Sequence, residues 1–226
     1  MLAVQLASPK PWDSSFVAGL LVMELLLGIL IIDKVPHTEI DWEAHMQEVK
    51  MWFDDGICDC REMHDCTGPL VCPAGFLCLF ALLRWITNQG RNVKLAQFVF
   101  LDLHLTMQAL LLKICAHASR FLAQTKSKSQ QQSQQLQQLQ QAHLIWSWHI
   151  AMGLLCCSKQ LHSMFMLQLF NEGPTMMLLC LCLHFLINNH WNSGCCAFSH
   201  AVSIKMNVLL FAPGPLLLLT QKSRGN

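Results

Sequence analysis

An apolar run from Phe16 to Ile32, 17 residues interrupted only by the charge of Glu24, constrains this chain more than any other feature. As a helix it measures roughly 26 Å, close to the thickness of a bilayer core. Directly behind it the chain turns acidic. Ten of its fourteen carboxylates fall between Asp33 and Asp65, against only Lys34, Lys50 and Arg61 in the same stretch. Loops poor in Lys and Arg are the ones that cross a membrane, whereas loops rich in them stay in the cytoplasm. The sequence therefore predicts a dense patch of carboxylates at the far face of a membrane, a place suited to acid–base chemistry.

Composition supports a membrane setting. Only 13% of residues are charged and 53% are hydrophobic, whereas soluble domains carry about 25% charged residues. A net charge of +1 leaves no basic excess for a nucleic-acid partner. The first run holds Glu24 and ends in Asp33-Lys34-Val35-Pro36 without a small-residue cleavage pattern, so it reads as a signal anchor or first span.

The second apolar run, Pro69 to Ile86, ends beside Arg84, Arg91 and Lys94, which predicts a cytoplasmic turn after a second crossing. A third run, Leu95 to Leu112, contains Asp102 and His104, ionisable groups that are costly at membrane depth and so face a bundle interior or a wet cavity. Beyond it two rules collide. Lys113, Arg120, Lys126 and Lys128 favour the cytoplasm, yet simple alternation sends them to the lumen. Residues 130–141 contain nine Gln in twelve positions and read as a low-complexity insert without chemistry of its own. The later apolar runs are short or broken, one carrying Lys205 and the last following Pro213-Gly214-Pro215. Seven tryptophans lie mostly near run ends, as interfacial anchors do.

The expected organisation is a cytoplasmic amino terminus (1–15), a first transmembrane helix (16–32), an acidic luminal loop (33–68), second and third transmembrane runs (69–118), a Gln-rich insert (119–142) and further membrane segments (143–226). The fold class is all-α, a multi-span helical membrane bundle with an acidic luminal loop. Its stop at Asn226, just after a broken run, reads as truncation.

Candidate chemistry begins at His37-Thr38-Glu39-Ile40-Asp41-Trp42. Glu39 and Asp41 would stand at the membrane surface beside an anchoring Trp, where partial desolvation raises carboxylate basicity. The competing reading is a plain acidic helix start capped by Thr38. Thr67-Gly68-Pro69 with Pro73-Ala74-Gly75 shapes either the lip of a site or a turn into a helix. Cys58, Cys60, His64 and Cys66 supply zinc-type ligands at a spacing too cramped for a structural site, so no metal site is assigned. Lys205 in Ser203-Ile204-Lys205-Met206-Asn207 either binds a lipid phosphate as a point charge or snorkels to the interface. Glu24, Asp102 and His104 leave open a channel or transporter pathway.

Four segments, HTEIDWEAHMQEV (His37 to Val49), TGPLVCPAGF (Thr67 to Phe76), HSMFMLQLFNE (His162 to Glu172) and AVSIKMNVLLFAPG (Ala201 to Gly214), together resemble the dolichyl-phosphate-mannose-dependent alpha-1,3-mannosyltransferases of the endoplasmic reticulum. These belong to the GT-C glycosyltransferases of asparagine-linked glycosylation. The resemblance covers nearly the whole chain apart from its amino tip and Gln-rich insert, and corresponds to the amino-terminal half of such an enzyme.

The resemblance implies an inverting transfer of mannose from a dolichyl-phosphate-mannose donor to the five-mannose dolichyl-pyrophosphate oligosaccharide, in a multi-pass protein in contact with membrane lipid. It implies no cofactor. Asp41 would be the catalytic base with Glu39 second, and Lys205, Asn207, His162 and Asn171 would bind substrate.

The chain departs from the family pattern in several places. His45, Cys58, Cys60, Cys72 and Cys78 stand where the family carries Tyr, in keeping with a chain that has none. Asp65-Cys66 replaces Gly-Asp, and Gln168 replaces an arginine. These departures sustain the alternative of a catalytically inactive paralogue or pseudoenzyme that at most binds lipid or a partner.

Overall fold

The computed structural model describes residues 14–37, 40–57, 73–129, 153 and 158–224, and every element among them is helical. Helix α1 (Ser14–Lys34) is Leu-rich and stops before Pro36, which disfavours helical backbone at Val35. Four residues spaced one turn apart, Leu20, Glu24, Gly28 and Ile32, form its inner row. Leu20, Glu24 and Ile32 are buried, and a Cβ at Gly28 would strike the Leu101 side chain. The opposite side exposes Val22, Leu26, Ile29 and Leu30, a surface suited to lipid.

That inner row lies along α4 (Val93–Ser129). Leu20 clusters with Leu112, Glu24 bonds His104, Gly28 meets Leu101, and Asp33 lines a groove with Lys94. The pairing is antiparallel and brings the end of α1 to the start of α4. By length and composition, Ser15–Lys34 and Val93–Ala118 can each cross a membrane.

Between them, α2 (Ile40–Phe53) and α3 (Ala74–Ile86) pack together at this same end. The Trp42 indole donates to the Gly90 carbonyl at 3.1 Å, and Arg84 forks onto both Asp54 oxygens at 3.2 and 2.6 Å. The turn at 87–92 therefore sits against the acidic α2. Helix α3 itself has 13 residues, roughly 20 Å, shorter than a bilayer core of about 30 Å.

Beyond the Gln-rich segment, α5 (Lys159–His162) continues into a π-helical turn (Ser163–Leu167). Gln97 donates to the Met166 carbonyl at 2.8 Å, so this segment rises beside α1 and α4 toward the acidic end. The chain then bends by 114° into α6 (Glu172–Ile187), with Leu169 at a φ of 50°. Together the bent pair passes as a third apolar span, either broken or re-entrant. A short turn joins α6 to α7 (Trp191–Ile204), closing a hairpin in which Gly194 faces Leu186. A 3-10 turn (Met206–Phe211) and α8 (Pro213–Arg224) follow. The main core gathers Trp42, Phe76, Phe80, Phe100 and Phe165 from four of these segments and Leu169 from the bend.

Candidate functional site

The site is built from the acidic end of the bundle. Helix α2 starts with Asp41 and Glu43 in its first turn and carries Lys50 in its last, matching the helix dipole at both ends. Asp41, His45 and Glu48 follow at helical spacing on one side. Asp41 is half-buried and Glu48 is buried. The His45 ring stands edge-on to Phe76 and Phe80, with both centroid separations 4.7 Å, and its Nδ1 lies 3.4 Å from Glu48 Oε2. The imidazole thus fills an aromatic slot on α3. This packing holds the Asp41 row in a fixed orientation.

Arg84 closes the far end of α2. Its hydrogen bonds hold the Asp54 carboxyl below the usual carboxylate range. Two formal charges of an otherwise acidic surface are thereby neutralised.

The remainder of the site lies at the break between α5 and α6. Lys205 occupies an extended position between α7 and the 3-10 turn, with φ −147°. This interruption lets its side chain reach back to the start of α6. Its Nζ donates to Glu172 Oε1 and, at 3.3 Å, to Asn171 Oδ1, and sits 5.3 Å from the Phe170 ring centroid. Asn171 is buried. An open cleft of 680 Å³ adjoins this group, lined by Lys159, Ser163, Gln168, Phe170 and Glu172 among others. A cleft with one lysine on its wall and another behind a carboxylate can receive an anion in exchange for Glu172.

Other sequence candidates fall elsewhere. Asn207 is exposed on the 3-10 turn. His162 is 5% exposed and points inward: its Nε2 lies 2.9 Å from Glu24 Oε2, which also meets His104 Nε2 at 3.1 Å. Burial on the inner side of α5 removes His162 from the cleft wall. Asp102 is exposed, on a different side of α4 from His104, so it does not join Glu24 in a common pathway. Glu39, Thr38, Cys58, Cys60, His64, Asp65 and Cys66 lie outside the described residues.

The four shared segments form one chain of contacts. His45 of the first touches Phe76 of the second. Gly75 of the second abuts Ser203 of the fourth so closely that an added Cβ would stand 2.6 Å from the Ser203 carbonyl oxygen. Lys205 of the fourth grips Asn171 and Glu172 of the third. Residues far apart in sequence thus meet at one end of the bundle. Comparison with known families finds a match over residues 18–225 to the family described as ALG3 protein. This chain belongs to the ALG3 family.

Among ALG3-like proteins, a "Probable Dol-P-Man:Man(5)GlcNAc(2)-PP-Dol alpha-1,3-mannosyltransferase" of Dictyostelium discoideum is 38% identical over 204 residues, covering 88% of this chain and 46% of the relative. The mouse and human proteins named Dol-P-Man:Man(5)GlcNAc(2)-PP-Dol alpha-1,3-mannosyltransferase are each 37% identical, covering 89% and 90% of this chain but 40% and 41% of their own lengths. The chain therefore spans less than half the length of the curated relatives it matches. No solved structure matches it.

One convergence of ionisable groups is legible only in part in the sequence. Glu24, His104 and His162 converge from three helices. The signal was present, since Glu24 and His104 are charges inside apolar runs. Their third partner, His162, is given a substrate-binding role by its place in a shared segment, and nothing in the local pattern joins it to the other two.

Proposed function

We propose that this chain carries some of the machinery of a mannosyltransferase that moves mannose from dolichyl-phosphate-mannose to the five-mannose dolichyl-pyrophosphate oligosaccharide, at the luminal face of the endoplasmic reticulum membrane. The observation that carries the reading is the convergence of the four shared segments at the acidic end, with Asp41 on one side of α3 and Lys205 on the other.

Asp41 is the base. It takes the proton of the acceptor hydroxyl as that oxygen attacks the anomeric carbon, while the donor phosphate leaves from the opposite face of the sugar. Glu39 is next in line on the same segment. Lys205 and Lys159 meet the phosphate or pyrophosphate as point charges, with Asn171 holding Lys205 in place until the anion displaces Glu172. Asn207, two residues past Lys205 and open to solvent, is available to the sugar side.

The proposed orientation also resolves the conflict over the basic residues. With α3 kept at the acidic end, α4 runs from that end back across the membrane. Lys113, Arg120, Lys126 and Lys128 then reach the cytoplasm, as their charge requires.

A second reading, an inactive paralogue, rests on Gln168. It lines the cleft at the position of the family's arginine, so the cleft has one cation fewer. One experiment separates the two. The chain is substituted for the matching segment of the human relative and expressed in cells lacking the transferase, and the size of the lipid-linked oligosaccharide is measured. Extension beyond five mannoses, lost on Asp41→Asn, supports transfer. A chimera that inserts in the membrane yet leaves five mannoses supports the inactive copy.

A further inference from the structure

Glu24 on α1, His104 on α4 and His162 on α5 present one carboxylate oxygen and two imidazole nitrogens within 4.8 Å of one another. Glu24 and His104 are fully buried and His162 nearly so. With Glu24 ionised and both imidazoles neutral, the hydrogen-bond valence of this cluster does not close. His162 Nδ1 lies 2.8 Å from the Ser158 carbonyl oxygen, which only accepts, so Nδ1 must carry a proton. In the neutral ring Nε2 is then a bare lone pair, and it faces a second acceptor, Glu24 Oε2, at 2.9 Å. Two acceptors at that distance repel unless a proton or a metal ion stands between them. Glu24 Oε1 adds to the deficit, being buried without a hydrogen-bond partner.

We propose that Glu24, His104 and His162 form a binding site for a divalent transition-metal ion of the zinc class. Two imidazoles and a carboxylate with an open fourth position are a familiar ligand set for this ion. A tetrahedral ion with bonds of about 2.0–2.1 Å spaces its ligand atoms about 3.3 Å apart. The observed oxygen–nitrogen separations of 2.9 and 3.1 Å need only a small expansion, and the two imidazole nitrogens, within 4.8 Å of each other, must come to the same spacing. The tautomer is already set, because a metal-bound histidine commonly donates its remaining N–H to a backbone carbonyl, as His162 does to Ser158. Glu24 Oε1 is free to close on the same ion. Such a site ties three helices together below the acidic end and stands independently of the transferase reading.

The test uses the full chain purified in detergent, stripped with a chelator and titrated with Co²⁺ while visible absorption is followed. The expected result is one equivalent whose ligand-field bands lack thiolate charge transfer, which separates it from cysteine-bound metal, and which Zn²⁺ displaces. Glu24→Gln and, separately, His104→Gln should each weaken this binding at least about tenfold. His104→Gln leaves the Glu24–His162 pair in place, so a folded variant is retained even where Glu24→Gln unfolds, with helicity by circular dichroism as the control. A folded parent chain that takes up no such equivalent, or one whose signal is unchanged in a folded His104→Gln variant, overturns the proposal and leaves a single proton bridging His162 and Glu24.

Discussion

Replacing Gly75 should push apart a pair of the shared segments, and the size of the effect follows from the contact itself. A Cβ there would lie 2.6 Å from the Ser203 carbonyl oxygen and 2.7 Å from Ser203 Cβ. The obstacle includes backbone, so α3 and α7 must separate by several tenths of an ångström. Overpacking of this kind costs about 1–3 kcal/mol. Against it stands the gain from replacing glycine in a helix, about 0.5–1 kcal/mol. The overpacking term is the larger, so Gly75→Ala should destabilise by about 1 kcal/mol. Gly75→Val, bulkier and without alanine's helix propensity, should cost about 2 kcal/mol. The assay is the apparent thermal midpoint of the chain in detergent, followed by tryptophan fluorescence. Gly19→Ala is the control, since nothing lies within 4 Å of that position, and it should be neutral or stabilising. Ser203→Gly in the Gly75→Ala background removes some of the obstruction and should recover some of the loss, giving a coupling energy above about 0.5 kcal/mol. Additive effects, or a Gly75→Val chain as stable as the parent, would refute the close approach of α3 to α7.

Four further outcomes follow from the same geometry. In the chimera described above, Asp41→Asn should lower transfer by about 10²–10⁴-fold if Asp41 is the general base, with membrane insertion unchanged; near-normal turnover would remove it from the mechanism. Glu172→Gln should release Lys205 and tighten binding of pyrophosphate to the chain, whereas Lys205→Met should weaken it, both read by isothermal titration. Asp54 is held more acidic in the folded chain by Arg84, so its stabilising contribution is present above its unfolded value near 3.8 and disappears as pH falls through the lower folded one. Arg84→Met should flatten that acid-side slope in a melting-against-pH series. Glycosylation tags placed at Gln89 and in the acidic stretch before Ile57 should be modified alike in microsomes, while a tag after Ser129 should stay bare; the opposite result for Gln89 would put α3 back across the membrane.

Much of this arrangement was legible because it depends on short-range rules. The first span follows from 17 residues of apolar sequence, and the helical start at Asp41 follows from acidic residues in a first turn. Lys205 stands out as a cation in an apolar run, and its partners Asn171 and Glu172 lie within a segment already marked by family resemblance. What could not be read was tertiary. Whether Pro69 to Ile86 crosses depends on where its helix begins. The structure starts α3 at Ala74, so 13 of the run's described residues are helical, and there Phe76, Phe80 and Leu83 pack into the core. His162 reads as a substrate contact from its place in a shared motif, yet shared motifs also preserve interior contacts.

The placement of α3 also changes the meaning of the acidic end. If Arg84, Arg91 and Lys94 stand with α2 rather than across the membrane from it, carboxylates no longer dominate that surface uniformly. Arg84 neutralises Asp54 at the end of α2, and Lys94 shares a groove with Asp33 where α1 ends. Asp41 stands on the turn of α2 farthest from Arg84. A base used against a sugar hydroxyl needs to hold a proton acceptor free of a fixed cation, since a paired carboxylate is a weaker base. Arg84 is therefore paired away from Asp41, while Lys159 and Lys205 stand at and behind the cleft wall, where in the proposed reaction a leaving phosphate would carry the negative charge.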